Sequence, residues 1–207
     1  MDHVTISDHP FVVDSLSHLR DIHTDVAKFR RHSDRLCRLL FADAIRGLSF
    51  REEVITTPLT STSVQKLADE VIIVPVLRAG LAMLFGAMDL LPKSKIGFIG
   101  LARDEVTSEA HEYYCKLPPI TPNSVVIVTD PMLATGGSLL HLLQKIAPLK
   151  PKAMRVVSVI AAPEGLAAVH AQFPEVEIFL GALDSHLDER NYISPGLGDY
   201  GDRYFGT

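Results

Sequence analysis

The chain has no tryptophan, only two cysteines, and few aromatic residues, 7% of 207. Cys37 and Cys115 are too few for a disulfide framework, and neither has a cysteine or histidine partner at a metal-ligand spacing. That sets aside a disulfide-stapled secreted fold and a zinc module. The longest apolar stretches, such as 71–77 (VIIVPVL), fall far short of the roughly 20 residues a membrane helix needs. A cationic excess is also lacking: 20 Lys and Arg stand against 25 Asp and Glu, a formal net charge of −5. Nucleic-acid binders usually carry the opposite bias. The opening residues, MDHVTISDHPFVV, hold acids and histidines where an export signal has basic residues followed by an apolar core. A cytoplasmic protein with neither a membrane nor a nucleic-acid partner is expected.

With 47% hydrophobic and 22% charged residues, the composition is that of an ordinary globule, and its length suits one core, so a single domain over 1–207 is expected. Val26, Phe29, Leu36, Leu40 and Ala44 follow helical steps, predicting an N-terminal helix over about 25–46 with Thr24 as its cap. Strand-like runs follow near 54–57, 71–76, 96–101, 124–129, 155–161 and 176–180. Helical segments are expected over 80–91, 136–147 and 163–172, the last opening with Pro163 and Glu164. The strands read as continuous Val and Ile runs, which means burial on both faces: an α/β fold with a mainly parallel sheet flanked by helices. The charged stretch 103–119 lacks periodicity and reads as a mobile loop or an excursion hairpin; regular patterning stops again after Leu183.

Ligands of open α/β sheets bind at the carboxyl ends of strands, where Asp130 ends the run 124–129. Pro131, Met132, Leu133 and Ala134 lead from it to Thr135, Gly136, Gly137 and Ser138, two hydroxyls and two unencumbered amides at the start of a helix. Free N–H groups and the helix dipole make such a turn a phosphate cradle, although a plain capping turn has the same composition. Ser138 and Leu139 after Gly137 do not supply the lysine of a triphosphate-binding loop. The segment 196–201 (GLGDYG) matches a dinucleotide fingerprint in letters only, because it follows no clear strand and too little chain remains after it. Its glycines and Asp199 still suggest close backbone approach to a ligand.

These stretches together resemble the uracil phosphoribosyltransferase family. The resemblance rests on VPVLRAGLAM (74–83), ARDEVTSEAHEYYCKLP (102–118), VTDPMLATGGS (128–138), AAPEG (161–165) and YISPGLGDYGDRYFGT (192–207), in the family's order and spacing. It implies a type I phosphoribosyltransferase fold that makes UMP and diphosphate from uracil and 5-phosphoribosyl 1-diphosphate (PRPP), with Mg²⁺ arriving on the diphosphate and no dedicated protein metal ligands. Residues 130–138 would bind the ribose 5-phosphate, with Asp130 on the ribose hydroxyls, and Arg78 and Arg103 would hold the diphosphate. Asp199 would lie near the diphosphate and its metal. Uracil would be read at Ile193, Gly198, Asp199 and Tyr200, within a base-binding region over about 183–207, largely through backbone groups. The stretch 103–119 would be the family's flexible loop. The family's habits further imply a homo-oligomer, dimeric or higher, and admit GTP as an effector.

The chain departs from the family at Tyr200, usually a small Ala, and at Ala82, Ala102 and Asp188. Other functions on the same fold are an RNA-binding regulator, which would want a basic face, and an enzyme for another base or for orotate, for which the C-terminal segment offers chiefly Arg190 and Arg203. A catalytically silent relative is the fourth; the intact Arg78, Arg103, Asp130 and Asp199 speak against it.

Overall fold

A computed structural model describes residues 3–103 and 110–207. The chain opens with β1 (Val4–Ile6) and α1 (Pro10–Arg20). His9 caps α1 by accepting from Phe11 N, and Pro10 suits a first helical turn, whose amide has no intrahelical partner. The helix α2 (Val26–Ala44) follows. Its cap is Asp25, which accepts from Lys28 N at 2.9 Å, and not Thr24 as the sequence suggested. Thr24 instead donates to His18 O at 2.7 Å and closes the end of α1.

A hairpin of β2 (Phe50–Thr56) and β3 (Ser61–Leu67) leads to β4 (Glu70–Leu77), α3 (Leu81–Leu90), β5 (Lys95–Ile96) and β6 (Phe98–Arg103). Next come β7 (Ala110–Lys116), β8 (Ser124–Thr129), β9 (Met132–Leu133), α4 (Gly137–Ile146), β10 (Ala153–Ala161) and α5 (Pro163–Gln172). The chain ends with β11 (Glu177–Leu183), the short pair β12 (His186–Leu187) and β13 (Ile193–Ser194), and α6 (Tyr200–Phe205).

The main sheet runs β1-β11-β10-β8-β4-β6-β7, with β5 beside β4 and β9 beside β10. Its pairs are parallel except β6 with β7. The continuous apolar runs have the expected cause: successive side chains of β4 and β8 enter two different cores. Ile73, Val125 and Ile127 pack with α1, α2 and α3, whereas Ile72, Val74, Val126 and Val128 pack with α4 and α5. This is the mainly parallel, helix-covered sheet that the sequence predicts.

The differences lie where burial gives no pattern. The hairpin β2–β3 is exposed along both strands, so only a short strand near 54–57 was legible. Two N-terminal helices stand where one was expected. In the stretch 103–119, residues 110–116 form β7, antiparallel to β6, while 104–109 lie outside the described residues. No helix among the described residues is long and apolar enough to cross a membrane.

Candidate active site

The carboxyl ends of β4, β6 and β8 open into a cavity of about 470 Å³, closed on the far side by residues 190–201. Asp130 follows β8 directly, and its Oδ1 accepts from Met132 N at 3.2 Å, an Asx-type turn that reverses the chain. The loop is then stitched to the next strand by its main chain. Pro131 O accepts from Val159 N and Ile160 N, at 3.0 and 3.1 Å, and Leu133 O accepts from Ala162 N at 2.9 Å. Pro131 costs the loop nothing here, because the sheet uses its carbonyl and not its missing N–H. Gly136 caps α4 with φ of +83°, a left-handed conformation that favours glycine, and Gly137 is exposed. A phosphate seated there meets the amides of the first turn of a helix of ten residues.

Arg78 stands after β4 on the opposite wall, its guanidinium held at 3.0 Å by Asp202 Oδ1. Gly80 lets this turn pack against β8: a Cβ there would lie 2.3 Å from Thr129 O. The guanidinium is largely exposed and has further N–H groups to offer an anion. Asp199 lines the cavity as the cap of α6, Oδ1 accepting from Asp202 N at 2.8 Å.

The segment 190–201 is fastened from behind by side chains. Asp184, buried at the end of β11, accepts from both terminal nitrogens of Arg20 and from Gly196 N at 2.9 Å. Arg203 donates to Leu19 O, to Leu197 O at 2.7 Å and to Asp21 O at 2.6 Å, and its guanidinium lies 4.6 Å over the Phe29 ring. The end of α1 thus carries the loop that closes the cavity.

Of the residues expected from sequence, Arg78, Asp130, Met132, Ala134, Ser138, Ile193, Gly198, Asp199 and Tyr200 line the cavity together. Pro131 and Leu133 are buried beneath the loop; Thr135, Gly136 and Gly137 form its turn without lining the main cavity. The backbone of Arg103 ends β6, paired with Ala110; its side chain lies outside what the structure describes. Arg190, Asn191 and Tyr192 also line the cavity; the sequence placed them in the base-binding region 183–207 and singled out Arg190 only as a cation for orotate, giving none of them a role with uracil. Their signal was position alone, next to Ile193. Tyr200 is 1% exposed as a whole, and its ring and hydroxyl are taken up by Phe29 and Ser33 of α2.

Among the described residues, the cavity's ionisable lining is carboxylate, arginine and tyrosine, with no histidine or cysteine. Elsewhere, among the described residues, Asp14, His18 and His32 bring metal-ligating atoms together on α1 and α2. Arg35 already places its guanidinium on Asp14 and 3.3 Å from His32 Nδ1, so a cation occupies that cluster.

A parallel sheet with an acid and a glycine turn at the end of a central strand defines a type I phosphoribosyltransferase fold. A hypoxanthine phosphoribosyltransferase from Staphylococcus aureus shares it at a TM-score of 0.51 and 12% identity over 76% of each chain, a likeness of fold alone. The uracil phosphoribosyltransferase of Shouchella clausii is 42% identical over 208 residues, covering 100% of both chains. The AQ2163 protein from Aquifex aeolicus has a TM-score of 0.94 at 38% identity, covering 99% of this chain and 98% of its own. The sequence profile of uracil phosphoribosyltransferases matches residues 6–207, and the chain belongs to that family.

Proposed function

We propose that this chain transfers the phosphoribosyl group of PRPP to uracil, yielding UMP and diphosphate. The observation that carries the reading is the single cavity that joins Asp130 and Ser138 of the phosphate loop to Ile193, Gly198, Asp199 and Tyr200 of the C-terminal segment. The 5-phosphate sits on the amides of 135–138, with Asp130 on the ribose hydroxyls, and Arg78 and Arg103 hold the diphosphate. Arginine suits that task because it stays charged and its fork grips two oxygens.

Uracil N1 forms the bond to C1 of the ribose as the C1–O bond breaks; diphosphate leaves with the electron pair, and the N1 proton is released. The Asp130 carboxylate opposes the positive charge that develops on the ribose. Uracil presents acceptor, donor, acceptor along O2, N3 and O4, which backbone amide, carbonyl and amide groups meet. Cytosine reverses the last two, and a site that reads hydrogen bonds rejects such an analogue by about 10⁴-fold or more.

The carboxylates of Asp130 and Asp199 in the cavity lining suit Mg²⁺, which takes hard oxygen donors; Asp199 would lie near an ion brought in on the diphosphate, without a dedicated protein cage. Bound there, it would neutralise charge on the diphosphate. The reading covers one domain over 1–207 acting in the cytoplasm as a homo-oligomer, the last supported by Phe50, Val54 and Leu59 exposed along the β2–β3 hairpin. The family resemblance admits GTP as an effector, which the assay tests.

A Mg²⁺-dependent assay with PRPP, offering uracil, cytosine, hypoxanthine and orotate in parallel and with and without GTP, tests it. Turnover of uracil alone is expected. Turnover of another base overturns the base assignment, and no turnover in either condition overturns the activity.

A further inference from the structure

We propose that Tyr200 is a positioning residue for the base: its buried side chain rivets the first turn of α6 to α2 and so holds the 198–200 backbone in the register that reads uracil. The inference rests on the base-reading role given above.

Three observations carry it. First, the residue is divided between two environments. It lines the cavity although the residue as a whole is only 1% exposed, and its ring enters a slot on α2. Second, the slot is built by one helix face. Phe29, Ser33 and Cys37 follow one another at four-residue steps, so they stack along α2. The Phe29 ring meets Tyr200 edge-on at 5.2 Å, Ser33 Oγ lies 2.5 Å from the Tyr200 hydroxyl, and Cys37 Sγ lies at 4.0 Å. Burial pushes the Cys37 thiol up to about 12 and the Tyr200 phenol well above its ordinary value, so both stay neutral and Ser33 is the strong partner.

Third, the chain on either side is permissive. Gly198 has φ of +81°, and Gly201 packs its backbone against Ala79, where a Cβ would lie 3.6 Å from the alanine Cβ. A six-residue helix has little stability of its own. Between two glycines, a buried aromatic ring with a hydrogen-bonded tip ties the start of α6 to α2, beside the hold that Arg203 has on Leu197 and the end of α1. The phosphate loop, stitched to β10 by main-chain bonds, does not depend on it.

The test compares the full chain with Tyr200→Phe, which keeps the ring and removes the hydroxyl, and with Ser33→Ala and the double variant. Two readouts are taken: hydrogen exchange at amides 199–201 without substrate, and steady-state kinetics in both substrates. The expected result is faster exchange at those amides and an increase of about 3- to 10-fold in KM for uracil, the factor one net hydrogen bond is worth. KM for PRPP and kcat should stay within about twofold, and the double variant should add little to either single one, as for two ends of one bond. Unchanged exchange overturns the anchor. Faster exchange with an unchanged KM for uracil overturns the positioning role and leaves a structural one. Wild-type chain that makes no UMP overturns the underlying reading instead, which the substrate-free exchange data tell apart.

Discussion

The two walls of the cavity are held in opposite ways. The phosphate wall, 130–138, hangs on main-chain hydrogen bonds from Pro131 and Leu133 to β10, its own neighbour in the sheet. The wall proposed to read the base, 190–201, pairs by main chain only within its own neighbourhood, through β12 and β13 and the flanking bonds Ser185 N to Ser194 O and Asp188 N to Tyr192 O, and side chains tie it to the distant N-terminal helices: Arg20 on Asp184, Ser33 on Tyr200, and Arg203 back onto the last turn of α1. A wall built from the ladder tolerates changes of side chain that keep the backbone path. A wall built from long-range side-chain contacts can be loosened one residue at a time, and the residue to change lies outside the cavity.

The sharpest way to separate the walls is Arg20→Met, which leaves the Asp184 carboxylate buried without its main cationic partner. Asp184 is 3% exposed and Arg20 26%, so stability should fall by about 3–5 kcal/mol in denaturant melts, with loss of uracil binding preceding loss of PRPP binding. Asp130→Asn should do the reverse. It should leave the melting curve near wild type and cut kcat by about 10²–10³, roughly 2.7–4 kcal/mol of transition-state stabilisation, in single-turnover assays.

A smaller effect is expected at Gly165, where a Cβ would lie 2.2 Å from Ala134 O and 3.0 Å from Leu133 Cδ1. Gly165→Ala should push the phosphate loop away from α5 at a cost of about 1–3 kcal/mol and raise KM for PRPP before that for uracil.

The smallest concerns Glu112 on β7, which accepts from Lys145 and from His141 of α4, each at 2.8 Å. Those bonds, Lys145 first, hold the Glu112 carboxyl below its ordinary value of 4.5. A depressed carboxylate contributes stability that is present above the unfolded value and lost as pH falls through the folded one. The melting difference between wild type and Glu112→Gln should therefore correspond to about 0.2–1 kcal/mol near neutrality and vanish under acid.

The same contrast governs what the sequence disclosed. The strand 124–129 and the helix 163–172 have the bounds read from the letters, because burial on both sides forces Val and Ile runs and Pro163 marks a helix start. Asp130 and the glycine turn were legible for the same reason, as a short local motif on a buried strand. By contrast, α1 buries Val12, Leu16 and Leu19 at helical spacing, yet exposed Phe11 and Val13 and buried Ser15 blur the stripe. Strands β3 and β7 expose both faces and leave no alternation to find. Nor was Arg20 visible as a support of the base wall, since its partner Asp184 lies 164 positions away. Tyr200 showed in sequence as a base-reading position and as a departure from a family pattern; the α2 slot that takes its ring shows only in the fold.

The most direct test of the central claim is a crystal structure of the full chain with UMP. The account predicts the phosphate on the amides of 135–138, the ribose hydroxyls on Asp130, and the O2–N3–O4 edge of the base against the main chain of 193 and 198–200. UMP bound with the base turned away from that segment, or seated outside the cavity, would contradict it.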